Sequence, residues 1–251
     1  MALRNGLLVH GPTHWAAAVR TKQGELKTAS GPKPHLGFEG VPGVRGVARL
    51  AEAMAVIPLV KRGLPEARLP MQDAKTLGAM VAAAAGGRLL RRAGTRTIGR
   101  ESLLAVVSLA PALLSLRSGD IAAYHGVEHK AIAAYEQDED AADALKEHDR
   151  CGSNLVAPML ASTVVGNVAA RRAGLTGPRA DALVGLGSVA FAVEVFAWSE
   201  RHSNSALAAL LRKPGHEIQR VVGTKEPSEE QLEVGRAAVE EILKVELANA
   251  E

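Results

Sequence analysis

The chain has 251 residues, 47% of them hydrophobic and only 3% aromatic, with 30 Lys+Arg against 27 Asp+Glu and a formal net charge of +3. That length can bury a sizeable core, and near-balanced charge without a long basic run beside aromatic residues excludes a nucleic-acid-binding surface. The single cysteine, Cys151, excludes an internal disulfide framework and suits a reducing compartment, while the apolar stretch in residues 1–9 is too short for a secretory signal.

In chain order, Leu7–Val9 and Trp15–Arg20 read as strands. Lys22-Gln23-Gly24 reads as a turn before a third strand over 25–28. A Gly/Pro-rich link over 31–43 follows, so residues 1–43 form a small β element and 44–251 a helical domain. Apolar spacing predicts helices over 44–61, 76–92, 103–116 and 120–136, the last with Asp120 as N-cap after Ser118-Gly119. Residues 137–150 read as an acidic loop followed by a short helix. Two apolar helices, around 155–170 and 182–198, are split by a turn at 174–178. A shorter helix ends at Lys213-Pro214-Gly215. The last helix starts at Ser228, where Ser228-Glu229-Glu230-Gln231 has the capping-box form. Its apolar face of Leu232, Val239, Ile242 and Leu243 packs on the body of the protein or on a second copy of the chain. The expected fold is therefore mainly α, a helical bundle with a small N-terminal β element.

The strongest chemical signal is Tyr124-His125-Gly126-Val127-Glu128-His129-Lys130. Its H-x-x-E-H order is that of the inverse zincins. On a helix His125 and His129 lie one turn apart and can share one metal ion, with Glu128 placed to take a proton from an attacking water. Helical spacing puts these three on the inward arc and Lys130 on the opposite side. Gly126 in mid-helix allows another backbone or a substrate to come close. A plainer alternative is a pair of hydrogen-bonded core histidines with a salt-bridged glutamate.

Two histidines need a third ligand, and Glu194 is the first choice because it stands among apolar residues, where a carboxylate must be protonated, paired or metal-bound. The competing reading pairs it with an arginine such as Arg201. His148 and Cys151 are further candidate ligands in His148-Asp149-Arg150-Cys151-Gly152-Ser153, and Arg150 is a candidate clamp for an oxyanion. His10, His14, His35, His202 and His216 read as surface or turn residues. The apolar segments over 103–116, 155–170 and 182–198 each fall short of the about 20 residues that span a bilayer, so a buried helical core and short membrane helices both fit.

Tyr124-His-Gly-Val-Glu-His-Lys130, Arg150-Cys-Gly-Ser153, Gln219-Arg220 and Thr224-Lys-Glu-Pro227 together resemble the bacterial YqhQ-like family, domain of unknown function 1385. Phe191-Ala-Val-Glu194 falls where that family tends to have a Tyr-Glu pair. Asp149 and Asn154 depart from its pattern. The resemblance implies a predicted metal-dependent enzyme in the bacterial cytoplasmic membrane; a soluble cytoplasmic protein is the alternative. The expected chemistry is metal-dependent hydrolysis of an acyl or peptide bond, with a divalent cofactor, zinc by donor type. The rival class is a noncatalytic membrane scaffold or assembly factor. The substrate stays unknown, and the C-terminal helix is the expected surface for any homo-oligomer.

Overall fold

The computed structural model describes the chain except Glu39, Met71, 93–96, Ser118, Gly119 and 250–251. The N-terminal part is a four-stranded antiparallel meander, β1 (Ala2–Leu3), β2 (Gly6–His10), β3 (His14–Arg20) and β4 (Leu26–Pro32), in sheet order β1-β2-β3-β4. Leu7 pairs with Ala18 and Leu8 with Ala17, so successive residues face opposite sides. Both sides are covered. Leu7 and Ala18 join Tyr124, Val127, Leu232, Val234 and Ala238 in one cluster, while Leu8, Trp15, Ala17 and Val19 join Val56, Val60 and Leu64 in the other. This double burial explains why the centre of β3, Trp15-Ala-Ala-Ala-Val19, is continuously apolar rather than alternating.

The helices are α1 (Arg45–Gly63), α2 (Ala74–Arg92), α3 (Ile98–Ser108), α4 (Ala110–Arg117), α5 (Ile121–Gln137), α6 (Val156–Arg172), α7 (Pro178–Arg201), α8 (Ala206–Ile218) and α9 (Glu229–Ala248). The mainly α fold with its N-terminal β element is as the sequence predicts. Helix α1 covers one face of the sheet, and α9 with α5 covers the other. The sheet is thus closed by the last helix of the chain. The capping box forms, with Gln231 accepting from the Ser228 N–H at 3.0 Å. Gly235 lets α9 lie against α5, because a Cβ there would stand 2.4 Å from Val127 Cγ1.

Helix α5 packs against the sheet, α9 and α4 and is buried on nearly every side, including Lys130, which is 3% exposed. Lys130 therefore does not point to solvent: its Nζ donates to Ala142 O at 3.0 Å and meets Glu226 at 2.6 Å. Asp120 holds the N-cap position but makes no side-chain capping bond, and the preceding Ser118-Gly119 lies outside the described residues. Asp138, left-handed at φ 54°, ends the helix.

Three further expectations are corrected. The 103–116 segment is part of two helices that meet at Leu109. Residues 138–150 contain no helix, since carbonyls of this loop serve α5 side chains, including Lys130 and His129. Pro214 does not stop α8. The helix continues to Ile218 and passes into a π turn over Gln219–Gly223. What holds it beyond the proline is close packing, because Gly215 sits against the Asn154 backbone, where a Cβ would come within 2.7 Å.

Ile98–Leu116, Gly152–Arg172 and Pro178–Arg201, of 19, 21 and 24 residues, are long and apolar enough to cross a membrane. Several of their charged residues lie together. Arg171 lies 3.3 Å from Glu101 and 3.8 Å from Asp181, and Asn167 donates to Glu101 at 3.2 Å.

Candidate metal centre

Helix α5 sets the rings of His125 and His129 with centroids 4.4 Å apart. Each Nδ1 meets a backbone carbonyl, His125 at Gly223 O (2.8 Å) and His129 at Lys146 O (2.6 Å). A carbonyl can only accept, so both rings carry a proton on Nδ1 and, when neutral, leave the Nε2 lone pair free. A backbone acceptor behind the ring is the usual support for a metal-binding histidine, because it fixes both tautomer and orientation. The π turn delivers the Gly223 carbonyl. Its i→i+5 closure, Thr224 N–H to Gln219 O at 2.9 Å, brings residues 224–227 across α5. Gly126 permits that approach, since a Cβ there would lie 2.4 Å from Lys225 O.

Cys151 comes from the other side, at the start of the short 3₁₀ turn Gly152–Leu155 that leads into α6. Its Sγ lies 3.4 Å from His125 Nε2. One ligand atom each from His125, His129 and Cys151 fall within 4.8 Å of one another. Zn–N distances of about 2.0–2.1 Å and a Zn–S distance of about 2.3 Å in a tetrahedron put ligand atoms about 3.3–3.6 Å apart. The His125–Cys151 separation already fits, and the set closes with small side-chain shifts.

Electrostatics couple the same residues. Burial pushes the Cys151 thiol up, but hydrogen bonds and charge from His125 and His129 outweigh it and bring the thiol down from 9.0 to about 5. It is therefore a thiolate, the form that ligates. Burial lowers His125, and the contacts with Cys151, Glu128 and Gly223 reverse this and raise it. Buried Gln219 holds the loop behind Cys151: its Oε1 accepts from the His148 N–H at 2.8 Å, and its Nε2 donates to His148 O at 3.2 Å and to Ser153 Oγ at 2.8 Å.

Glu128 stands beside the pair, one side-chain oxygen 2.7 Å from the Met1 ammonium, which also donates to Leu8 O at 2.5 Å. Burial would raise this carboxyl. The ammonium and the two imidazoles instead hold it below its ordinary value, so it is ionised. His10 is close enough to feel the same ammonium.

The remaining sequence candidates lie outside the donor set. Glu194, the expected third ligand, is engaged by Arg45: Nε donates at 2.8 Å and Nη2 donates to the other oxygen, with Gly43 N–H adding 2.9 Å. The arginine reading describes it, with Arg45 rather than Arg201, because α1 packs on α7 and Arg45 reaches the carboxylate from there. Cys151 stands in the third place. The His148 ring lies 5.8 Å from that of His129, but its Nε2 faces Glu136 at 3.5 Å. Arg150 pairs with Glu136 and is half exposed. Sequence reasoning missed the two supporting carbonyls, which no residue type announces. It also gave Gln219 no role, although Gln219-Arg220 was among the residues that carry the family resemblance.

A sequence model of the family described as protein of unknown function (DUF1385) matches residues 115–245. The chain belongs to that family. The match runs from the end of α4 through most of α9 and holds the whole donor set, whereas the sheet and α1 to α3 lie before it. No curated protein and no solved structure matches the chain.

Proposed function

We propose that this member of the family is a membrane-associated metal-dependent hydrolase acting on an acyl or peptide bond. The observation that carries the reading is the convergence of His125, His129 and Cys151 with both Nδ1 positions taken by backbone carbonyls. Two nitrogens and a thiolate suit zinc, and three protein ligands keep a fourth position open, as catalytic sites do. When bound, the ion supplies Lewis acidity and lowers the pKa of water. Glu128, held ionised, takes the proton of the attacking water and returns it to the leaving group. The three helices long and apolar enough to cross a bilayer support the membrane location.

Purification without chelator, elemental analysis and assay against a panel of acyl esters and peptides test this. Wild type is expected to carry one metal per chain and to hydrolyse at least one panel member. Glu128→Gln is expected to keep the metal and lose about 10²–10⁴-fold in rate. A noncatalytic scaffold gives the opposite pattern, with metal in a closed four-ligand site and no effect of Glu128→Gln beyond stability.

A further inference from the structure

We infer that the cavity beside His125 is the seat of a hydrocarbon chain, which makes the substrate of the proposed centre an acyl lipid rather than a peptide. The cavity measures about 210 Å³ and is walled by Leu109, Leu113, Leu116, Val156 and Ile218, with His125 also in its lining. Clefts that enclose a whole drug-sized ligand run to about 300–1,000 Å³, so this one takes part of a larger molecule. Leu109, Leu113 and Leu116 belong to Ile98–Leu116 and Val156 to Gly152–Arg172, two of the three segments able to cross a membrane. On the membrane reading, a chain lying in the bilayer is therefore beside the cavity wall.

The polar groups on the wall decide between chain and peptide. Gln219 is committed to His148 and Ser153, and the Gly223 carbonyl to His125 Nδ1. A peptide segment would bring backbone N–H and C=O groups that find no partner in such a pocket, and unpaired polar groups of this kind are costly to bury. A methylene chain brings none. Its acyl carbon then lies at the His125 end, beside the donor set. As a substrate site this rests on the hydrolase reading, whereas occupancy of the cavity does not.

The test is photolabelling of the full chain in lipid nanodiscs with a fatty acid bearing a terminal diazirine, followed by peptide mapping and elemental analysis of the same samples. Labelling is expected to concentrate on residues 109–116 and on Val156. It should fall at least tenfold in Ala112→Phe, which fills the cavity from an exposed position, and in Val156→Phe, with metal content unchanged in both. Uniform labelling over the lipid-facing surface of α6 and α7, unmoved by either variant, overturns the inference. So does displacement of the label by an apolar peptide at lower concentration than by the unlabelled fatty acid. His129→Ala separates the two claims: retained labelling without metal supports the chain site whatever becomes of the hydrolase, and loss of labelling in a variant that melts like wild type contradicts it.

Discussion

The sheet with α1, α5 and α9 and the apolar helices α3, α4, α6 and α7 are built on opposite principles. In the first, Leu7, Leu8, Val19, Val56, Val60, Val127 and Val234 are fully buried. In the second, only 11% of the apolar windows of Gly152–Arg172 and Pro178–Arg201 is buried, and Val165, Leu183 and Phe191 are 68%, 71% and 52% exposed. The first region buries its own apolar surface, and the second leaves its apolar surface exposed. The donor set lies at the seam, with the histidines from the first region and Cys151 from the entrance to the second. On the reading proposed above, a site so placed is held by the first region and faces molecules that reside around the second.

Breaking the packed region should cost most. Leu8→Ala leaves a cavity between sheet and α1, and urea unfolding should show a loss of about 2–5 kcal/mol. In the apolar region the effect should appear in partition. Phe191→Lys places a charge near the middle of α7, which on insertion scales costs about 2.5–3.5 kcal/mol. Membrane sedimentation should show a smaller bound fraction; an unchanged distribution would contradict the membrane reading.

Next is pH. Burial, the Met1 ammonium and Lys33 lower His10 from 6.5 to about 4, against a smaller opposing effect of Glu128. As pH falls below 6.5, the unfolded imidazole binds a proton that the folded one refuses until about pH 4, so stability declines across that window. The loss reaches about 3 kcal/mol at its lower end, at about 1.36 kcal/mol per pKa unit. His10→Asn should flatten that part of the stability-pH curve. Smallest is Leu183→Ala, at an exposed position, which should move the melting free energy by less than about 0.5 kcal/mol in lipid or detergent. If it cost as much as Leu8→Ala, the contrast between the regions would fail.

The packed region was legible in sequence because its signals are local. Strand residues Leu7–Val9 and Trp15–Arg20, the Lys22–Gly24 turn and the Ser228 capping box depend on neighbours in the chain. The H-x-x-E-H histidines were legible for the same reason, since four-residue spacing on a helix fixes their shared face. The rest of the site is assembled from distant segments. Cys151 and Glu194 were both plausible third ligands by type, and only the docking of α1 on α7 assigns Glu194 to Arg45. The run through Pro214 into the π turn was hidden because local rules end a helix there, whereas packing on Asn154 continues it. Lys130 misled for a related reason: α5 is enclosed on both sides, so helical periodicity does not separate an inside from an outside.

Metal content per chain tests the central claim most directly. Elemental analysis of protein purified without chelator, with thermal melting of the same samples, should give one divalent ion in wild type and in Glu194→Gln. His125→Ala, His129→Ala and Cys151→Ser should each lose it. Wild type without stoichiometric metal, or loss in Glu194→Gln as complete as in Cys151→Ser, would contradict a centre built from His125, His129 and Cys151.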